Sequence, residues 1–197
     1  ILLISGGAIY LVAGAPLRHL AVLALIGVIG AGVLFTQQSY LASRLTTFLK
    51  PGTDALGAGY QVNQSLIAIG SGGILGRGFG QSLQKFDYLP EPTGDSIFAV
   101  AGEEFGFVGA SILIAAFLLF ALRGLRIAKH SPDTFGRLLG VGIICLITVQ
   151  SFINIASMLG LFPLSGTPLI FVSQGGSSLS LALAEVGILL SISKAAS

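Results

Sequence analysis

The residues best suited to chemistry lie in one polar stretch, Gln81 to Glu104, in a chain that is otherwise mostly apolar. It holds five of the eight acidic residues: Asp87, Glu91, Asp95, Glu103 and Glu104. Asp95 follows Pro90, Pro92 and Gly94, so a turn holds its backbone just before an apolar run opens at Ile97. A carboxylate at such a junction has two uses. It can cap the coming helix, because Asp is a favoured N-cap. Alternatively, partial burial at a membrane surface raises its pKa toward that of a working general base. Asp87, Glu91 and Asp95 also offer the hard oxygens that a divalent cation takes. Arg77 and Lys85, in glycine-rich surroundings, offer cations for a phosphate.

The elements that must position these groups are membrane helices. The chain is 53% hydrophobic and 9% charged, with a mean hydropathy of +0.92. A soluble domain carries about 25% charged residues, so the composition places this chain in the membrane class. Its 28 glycines fit helix backbones packed closely in lipid. A net charge of +2 gives no case for a nucleic-acid partner. Cys145 is the single cysteine, which excludes an intramolecular disulfide and reads as an inert core thiol. The chain opens in mid-hydrophobic run without a Met, so the expectation is a fragment lacking amino-terminal helices.

Hydropathy then predicts an all-α integral membrane protein, a polytopic bundle of about five spans over residues 1–197 treated as one domain. Ile1 to Ala15 is a truncated first helix, and Leu20 to Phe35 is the second span. Tyr40 to Lys50 reads as an amphipathic helix in the interface. Ala58 to Leu75 is taken as the third span, with Gln61, Gln64, Ser65, Ala68 and Ser71 on one stripe that must face protein or a wet cavity. Ile97 to Leu122 is the fourth, with Gly102, Gly106 and Gly109 as a stripe for close helix contact. Glu103 and Glu104 diverge by about 100° in its first turns. Leu138 to Leu161 is the fifth, with Gln150, Asn154 and Ser157 facing inward. A short last span, Leu179 to Ile192, follows a loop of glycine and serine. This threading puts Arg44, Lys50, Arg123, Arg126, Lys129, Arg137 and Lys194 on one side, and Arg18, Arg77 and Lys85 on the other. The more basic side is cytoplasmic, so the Asp95 loop is long and extracytoplasmic.

Several stretches carry a resemblance: Gly59-Tyr-Gln61-Val-Asn-Gln64-Ser65, Gly78-Phe-Gly-Gln-Ser-Leu-Gln-Lys85, Tyr88-Leu-Pro-Glu91, Asp95-Ser-Ile-Phe-Ala-Val-Ala-Gly-Glu103-Glu104, Gln150-Ser-Phe-Ile-Asn154 and Phe171-Val-Ser173-Gln-Gly-Gly-Ser177-Ser. In this order and spacing the chain resembles the SEDS family (shape, elongation, division and sporulation), its FtsW group first and RodA next. The match covers nearly the whole chain and corresponds to the carboxy-terminal half of a ten-helix protein.

The resemblance implies a peptidoglycan glycosyltransferase of the bacterial cytoplasmic membrane that polymerises lipid II. Asp95 matches the family's essential aspartate, the expected base. Lys85 is the expected cation at the undecaprenyl pyrophosphate, and a divalent cation, Mg or Mn, is left open. Glu91, Gln61, Gln64, Ser65, Asn154, Ser173 and Ser177 are the expected substrate-binding residues. The implied partners are the lipid-linked glycan, a class B penicillin-binding protein, other division or elongation proteins and membrane lipids. A transporter that flips lipid II and a non-catalytic division scaffold are the other readings. The sequence departs from the family at Gly94, usually Thr or Ser, and at Ser165, Ile170 and Gln174.

Overall fold

The computed structural model describes residues 1–37, 44, 46–49 and 57–195, and its regular structure there is entirely helical. Two apolar helices open the chain, α1 (Leu2–Val12) and α2 (Leu17–Gln37). They form an antiparallel hairpin, with Gly7 facing Leu20 and Leu3 facing Gly27. Tyr10 Oη meets His19 Nδ1 at 2.7 Å across the turn. Next come α3 (Ala58–Gly72) and the single-turn α4 (Gln84–Asp87). Three long helices finish the chain: α5 (Ile97–Lys129), α6 (Thr134–Met158) and α7 (Gly176–Ala195).

α5, α6 and α7 are long and apolar enough to cross a membrane, while α1 and residues 17–30 of α2 form shorter apolar helices. Their packing rests on small residues. Gly124 of α5 lies under Ile144, and Gly140 of α6 lies against Ala128. Leu189 of α7 reaches both glycines, and Ile9 of α1 reaches Gly142. Without water to drive helices together in lipid, such close backbone approach supplies the van der Waals contact. Asp133 starts α6 by accepting the Gly136 N–H at 2.8 Å, the N-cap that a Ser-Pro-Asp turn encodes.

Two expectations are corrected. The stretch from Ala58 to Leu75 is not a span. Its helix has 15 residues, short of the roughly 20 needed to cross, and it ends where Gly72 abuts the backbone of Gly102 and Glu103. Removing that crossing also changes the sidedness of two charges. Arg44 lies on the Asp95 face, where it donates to Leu164 O at 2.7 Å. Arg18 follows α1 at the opposite end, since Ile9 is level with Gly142 near the start of α6. The opposite face therefore carries Arg18, Arg123, Arg126, Lys129, Arg137 and Lys194, and the Asp95 face carries Arg44, Arg77 and Lys85. Lys50 and most of the proposed amphipathic helix lie outside the described residues, although 44 and 46–49 are helical.

α5 is also not one continuous rod. Gly106 sits at φ 66, ψ −164, and breaks it into residues 97–105 and 107–129. In an unbroken helix the N–H groups of Phe107 and Val108 would bond the carbonyls of Glu103 and Glu104. Here those N–H groups go to Gly73 O (2.9 Å) and Ile74 O (3.1 Å), and the two carbonyls accept from Arg77 N and Gly78 N, both at 3.0 Å. The turn after α3 is thus inserted into the opened helix, and these four freed backbone groups are paired again. A Cβ on Gly106 would strike Gly76 N and Ile74 O, and one on Gly76 would strike Glu104 O. Glycine is required at both positions by space as well as by their positive φ.

Candidate active site

Asp95 sits on the turn between α4 and α5, half-buried. The capping role drops out, because the N-cap of α5 is Ser96 and no side chain caps it. The turn is held from several directions. Glu91 O accepts the N–H groups of Gly94 and Ser96, each at 3.1 Å. Ser96 Oγ donates to Pro90 O at 2.8 Å and accepts from Gln61 Nε2 of α3 at 2.9 Å. From α6, Asn154 Nδ2 donates to the backbone oxygens of Asp95 and Thr167, both at 2.7 Å. The loop before α7 closes the remaining side. Ser173 Oγ donates to Gly94 O at 2.7 Å while accepting Leu169 N–H at 2.8 Å, and Gln174 N–H donates to Thr93 O at 2.8 Å. The backbone of the Asp95 turn is therefore tied to α6 and the last loop, and through the Ser96 hydroxyl to α3, while the Asp95 carboxylate is left for other work.

The electrostatics of that carboxylate are mixed. Burial pushes the Asp95 pKa above the usual carboxylate value, the Glu91 charge pushes it further, and the Arg44 guanidinium pulls it back. Both Arg44 and Asp95 converge on Gly166. A Cβ there would lie 3.5 Å from each Arg44 Nη and 3.7 Å from Asp95 Oδ2. With φ at +64, Gly166 has conformational as well as steric reason to lack a side chain. A cavity of about 110 Å³ opens beside Arg44, walled by Phe48, Val62, Leu66, Phe162 and Leu164.

Of the residues expected at the site, Gln61, Glu91, Asn154 and Ser173 gather around Asp95; the last three bond the backbone there, and Gln61 bonds the Ser96 hydroxyl. Gln64 is half-buried on α3. Ser65 is fully buried and donates to Gln61 O (2.8 Å) and to Met158 Sδ (3.3 Å), so it joins α3 to α6 instead of lining a cavity. Ser177 is exposed on the first turn of α7.

Lys85 Nζ is paired with Glu104 Oε1 at 2.7 Å. The neighbouring Glu103, 1% exposed, accepts Ser82 O–H (2.6 Å) and the N–H groups of Leu83 and Gln84 (3.2 and 3.3 Å). Both carboxylates thus pin the segment that rises from the α5 break to α4. The Asp87 side chain lies outside the described residues, and among those described no three His, Cys, Asp or Glu groups gather as a metal site.

Sequence reading missed Arg44 and the break at Gly106. The signal for the break was present in the doubled glycines at 72–73, 76 and 78 opposite 102 and 106. Arg44 had none, because its place depends on how many crossings precede it.

Residues 1–197 match the family model of FtsW, RodA and SpoVE, described as cell cycle protein, and the chain belongs to that family. It is 48% identical over 183 residues to stage V sporulation protein E of Bacillus subtilis, covering 93% of this chain and 50% of that protein. It is 44% identical over 186 residues to a probable peptidoglycan glycosyltransferase FtsW of Synechocystis, covering 94% and 47%. Against the peptidoglycan glycosyltransferase MrdB of Escherichia coli it is 44% identical over 159 residues, covering 80% and 43%. A solved structure described as "Structural coordination of polymerization and crosslinking by a peptidoglycan synthase complex" superimposes with a TM-score of 0.77 at 26% identity, over 98% of this chain and 54% of the other. The chain thus spans about half the length of the relatives it matches.

Proposed function

We propose that the protein is a peptidoglycan glycosyltransferase that polymerises lipid II, with Asp95 as its general base. The observation that carries this reading is the Asp95 carboxylate itself. It is released from helix capping, half-buried, and held on a turn whose backbone and Ser96 hydroxyl are fixed by three separate elements. In the proposed reaction the acceptor sugar hydroxyl gives its proton to Asp95. Its oxygen bonds the anomeric carbon of the donor strand, and the bond from that carbon to the lipid pyrophosphate breaks. Lys85 meets the leaving group by exchanging Glu104 for phosphate, and a divalent cation, Mg or Mn, would arrive with the pyrophosphate. The charge distribution supports a cytoplasmic-membrane protein with the Asp95 face outside, because the opposite face remains the more basic one. A cysteine replacing Gln84 should then react with an impermeant thiol reagent in intact cells, and one replacing Lys129 should not; the reverse pattern overturns the orientation. A class B penicillin-binding protein is the proposed partner, in line with the synthase complex that the fold resembles.

The test is glycan synthesis from purified lipid II by the full-length protein. Asp95→Asn keeps the shape and removes the proton acceptor, so turnover should fall by about 10²–10⁴-fold. Melting temperature and lipid II binding should hold. A variant that polymerises at the wild-type rate removes Asp95 as the base. A wild-type protein that moves lipid II across vesicles without joining sugars makes the protein a transporter.

A further inference from the structure

The Asp95 carboxylate faces two charges of opposite sign, and they come from different parts of the chain. Glu91 belongs to its own turn, fixed at φ 48 by the N–H groups of Gly94 and Ser96 on its carbonyl. Arg44 lies fifty-one residues upstream, where 44 and 46–49 are helical. Its guanidinium is fastened by the bond from Nη1 to Leu164 O and points at the Gly166 position that Asp95 Oδ2 also approaches. The other described elements packed on this turn present uncharged groups: Gln61 from α3, Asn154 from α6, and Thr167 and Ser173 from the last loop.

From this arrangement we infer that Arg44 is a positioning residue for Asp95: it holds the carboxylate in its ionised, proton-accepting form against the opposing charge of Glu91. The physical need is plain. A base that is half-buried beside another carboxylate favours its protonated form and so spends less time able to accept a proton. An opposite charge within about 4–6 Å lowers a carboxylate pKa by about 1–3 units. The three influences on Asp95 have these signs, with burial and Glu91 raising and Arg44 lowering. Lys85, the other cation near the site in sequence, is engaged with Glu104 and does not supply this contact. Gly166, bare and left-handed, leaves open the space that both the guanidinium and the carboxylate border.

The inference rests on Asp95 as the base, and its test separates the two. In the full-length protein, Asp95 is labelled with a water-soluble carbodiimide, which attacks the protonated carboxyl, and the labelled fraction is read by peptide mass spectrometry across pH. Arg44→Met should move the labelling midpoint up by about one unit or more. Arg44→Lys should bring most of it back, and Glu91→Gln should move it down. The rate of glycan synthesis should follow, with the acidic limb of the Arg44→Met profile displaced to higher pH and the rate recovered above it. A labelling midpoint that Arg44→Met leaves in place overturns the inference, whether or not that variant polymerises. A rate lost by the same factor at every pH, with the midpoint still displaced, would mean that Asp95 is tuned by Arg44 but is not the base.

Discussion

The two halves of α5 were cut from one apolar run and ended in different surroundings. Most of residues 97–104 is enclosed by protein. Phe98, Ala99 and Val100 are buried, as are Gly102, Glu103 and Glu104. Residues 107–129 expose Phe107, Ile112, Leu118, Leu119 and Leu122, the side chains expected against lipid. Burial decides what each half can carry. The first half holds two carboxylates because the turn from Ser82 to Lys85 returns to meet them with a hydroxyl, two backbone N–H groups and an ammonium. The second half has no such return and carries no acidic residue. An intramembrane charge costs about 2.5–3.5 kcal/mol on insertion scales, and here the protein itself supplies the polar surroundings that lipid cannot.

The sharpest way to break this contrast is at the joint. Gly106→Val places a branched side chain in the left-handed region and drives it into the backbone of Gly76 and Ile74. The inserted turn should be expelled, leaving unpaired backbone groups, and no monodisperse protein should survive detergent extraction and size exclusion. Gly70→Ala, with open space at its Cβ, is the matched control and should leave the yield unchanged.

A smaller change separates the two carboxylates. Glu103→Gln sets an amide N–H₂ against donors that all need an acceptor. Hydrogen bonds to a charged group contribute about 1.5–3 kcal/mol, so a loss of that order in thermal stability is expected. Glu104→Gln removes one ion pair whose lysine retains 25% side-chain exposure and can rehydrate. Its cost should be about 1 kcal/mol. Equal melting temperatures for the two variants would mean that the segment from Ser82 to Lys85 is not held by Glu103.

The same contrast explains what was legible beforehand. Asp95 could be singled out because its type, its turn of prolines and glycine and its place before an apolar run are all local. Gln61, Asn154 and Ser173 lie in the same region, but the bonds they make were not visible from local pattern. Asn154 and Ser173 bond the main chain of the Asp95 turn and Gln61 bonds its Ser96 hydroxyl, and a polar side chain in a span looks the same whether it meets a protein group or a ligand. Ser65 shows this most clearly. Its stripe position was read correctly as inward-facing, yet what lies inward is Met158.

Composition and hydropathy by themselves determined the membrane class, the helical fold and the places of the last three spans, because exclusion of charge from lipid is a property of each segment alone. Pattern also marked Asp95 as the carboxylate at a loop-to-helix junction. Only the tertiary structure decided that Ala58–Gly72 stops short of crossing, that α5 opens at Gly106, and that Arg44 stands on the same face as Asp95. The first two outcomes have one cause, and Arg44 takes its face from the first. A broken helix is tolerable only where another backbone arrives to take its freed hydrogen bonds, and that arrival is a contact between residues about thirty positions apart, which no local window contains.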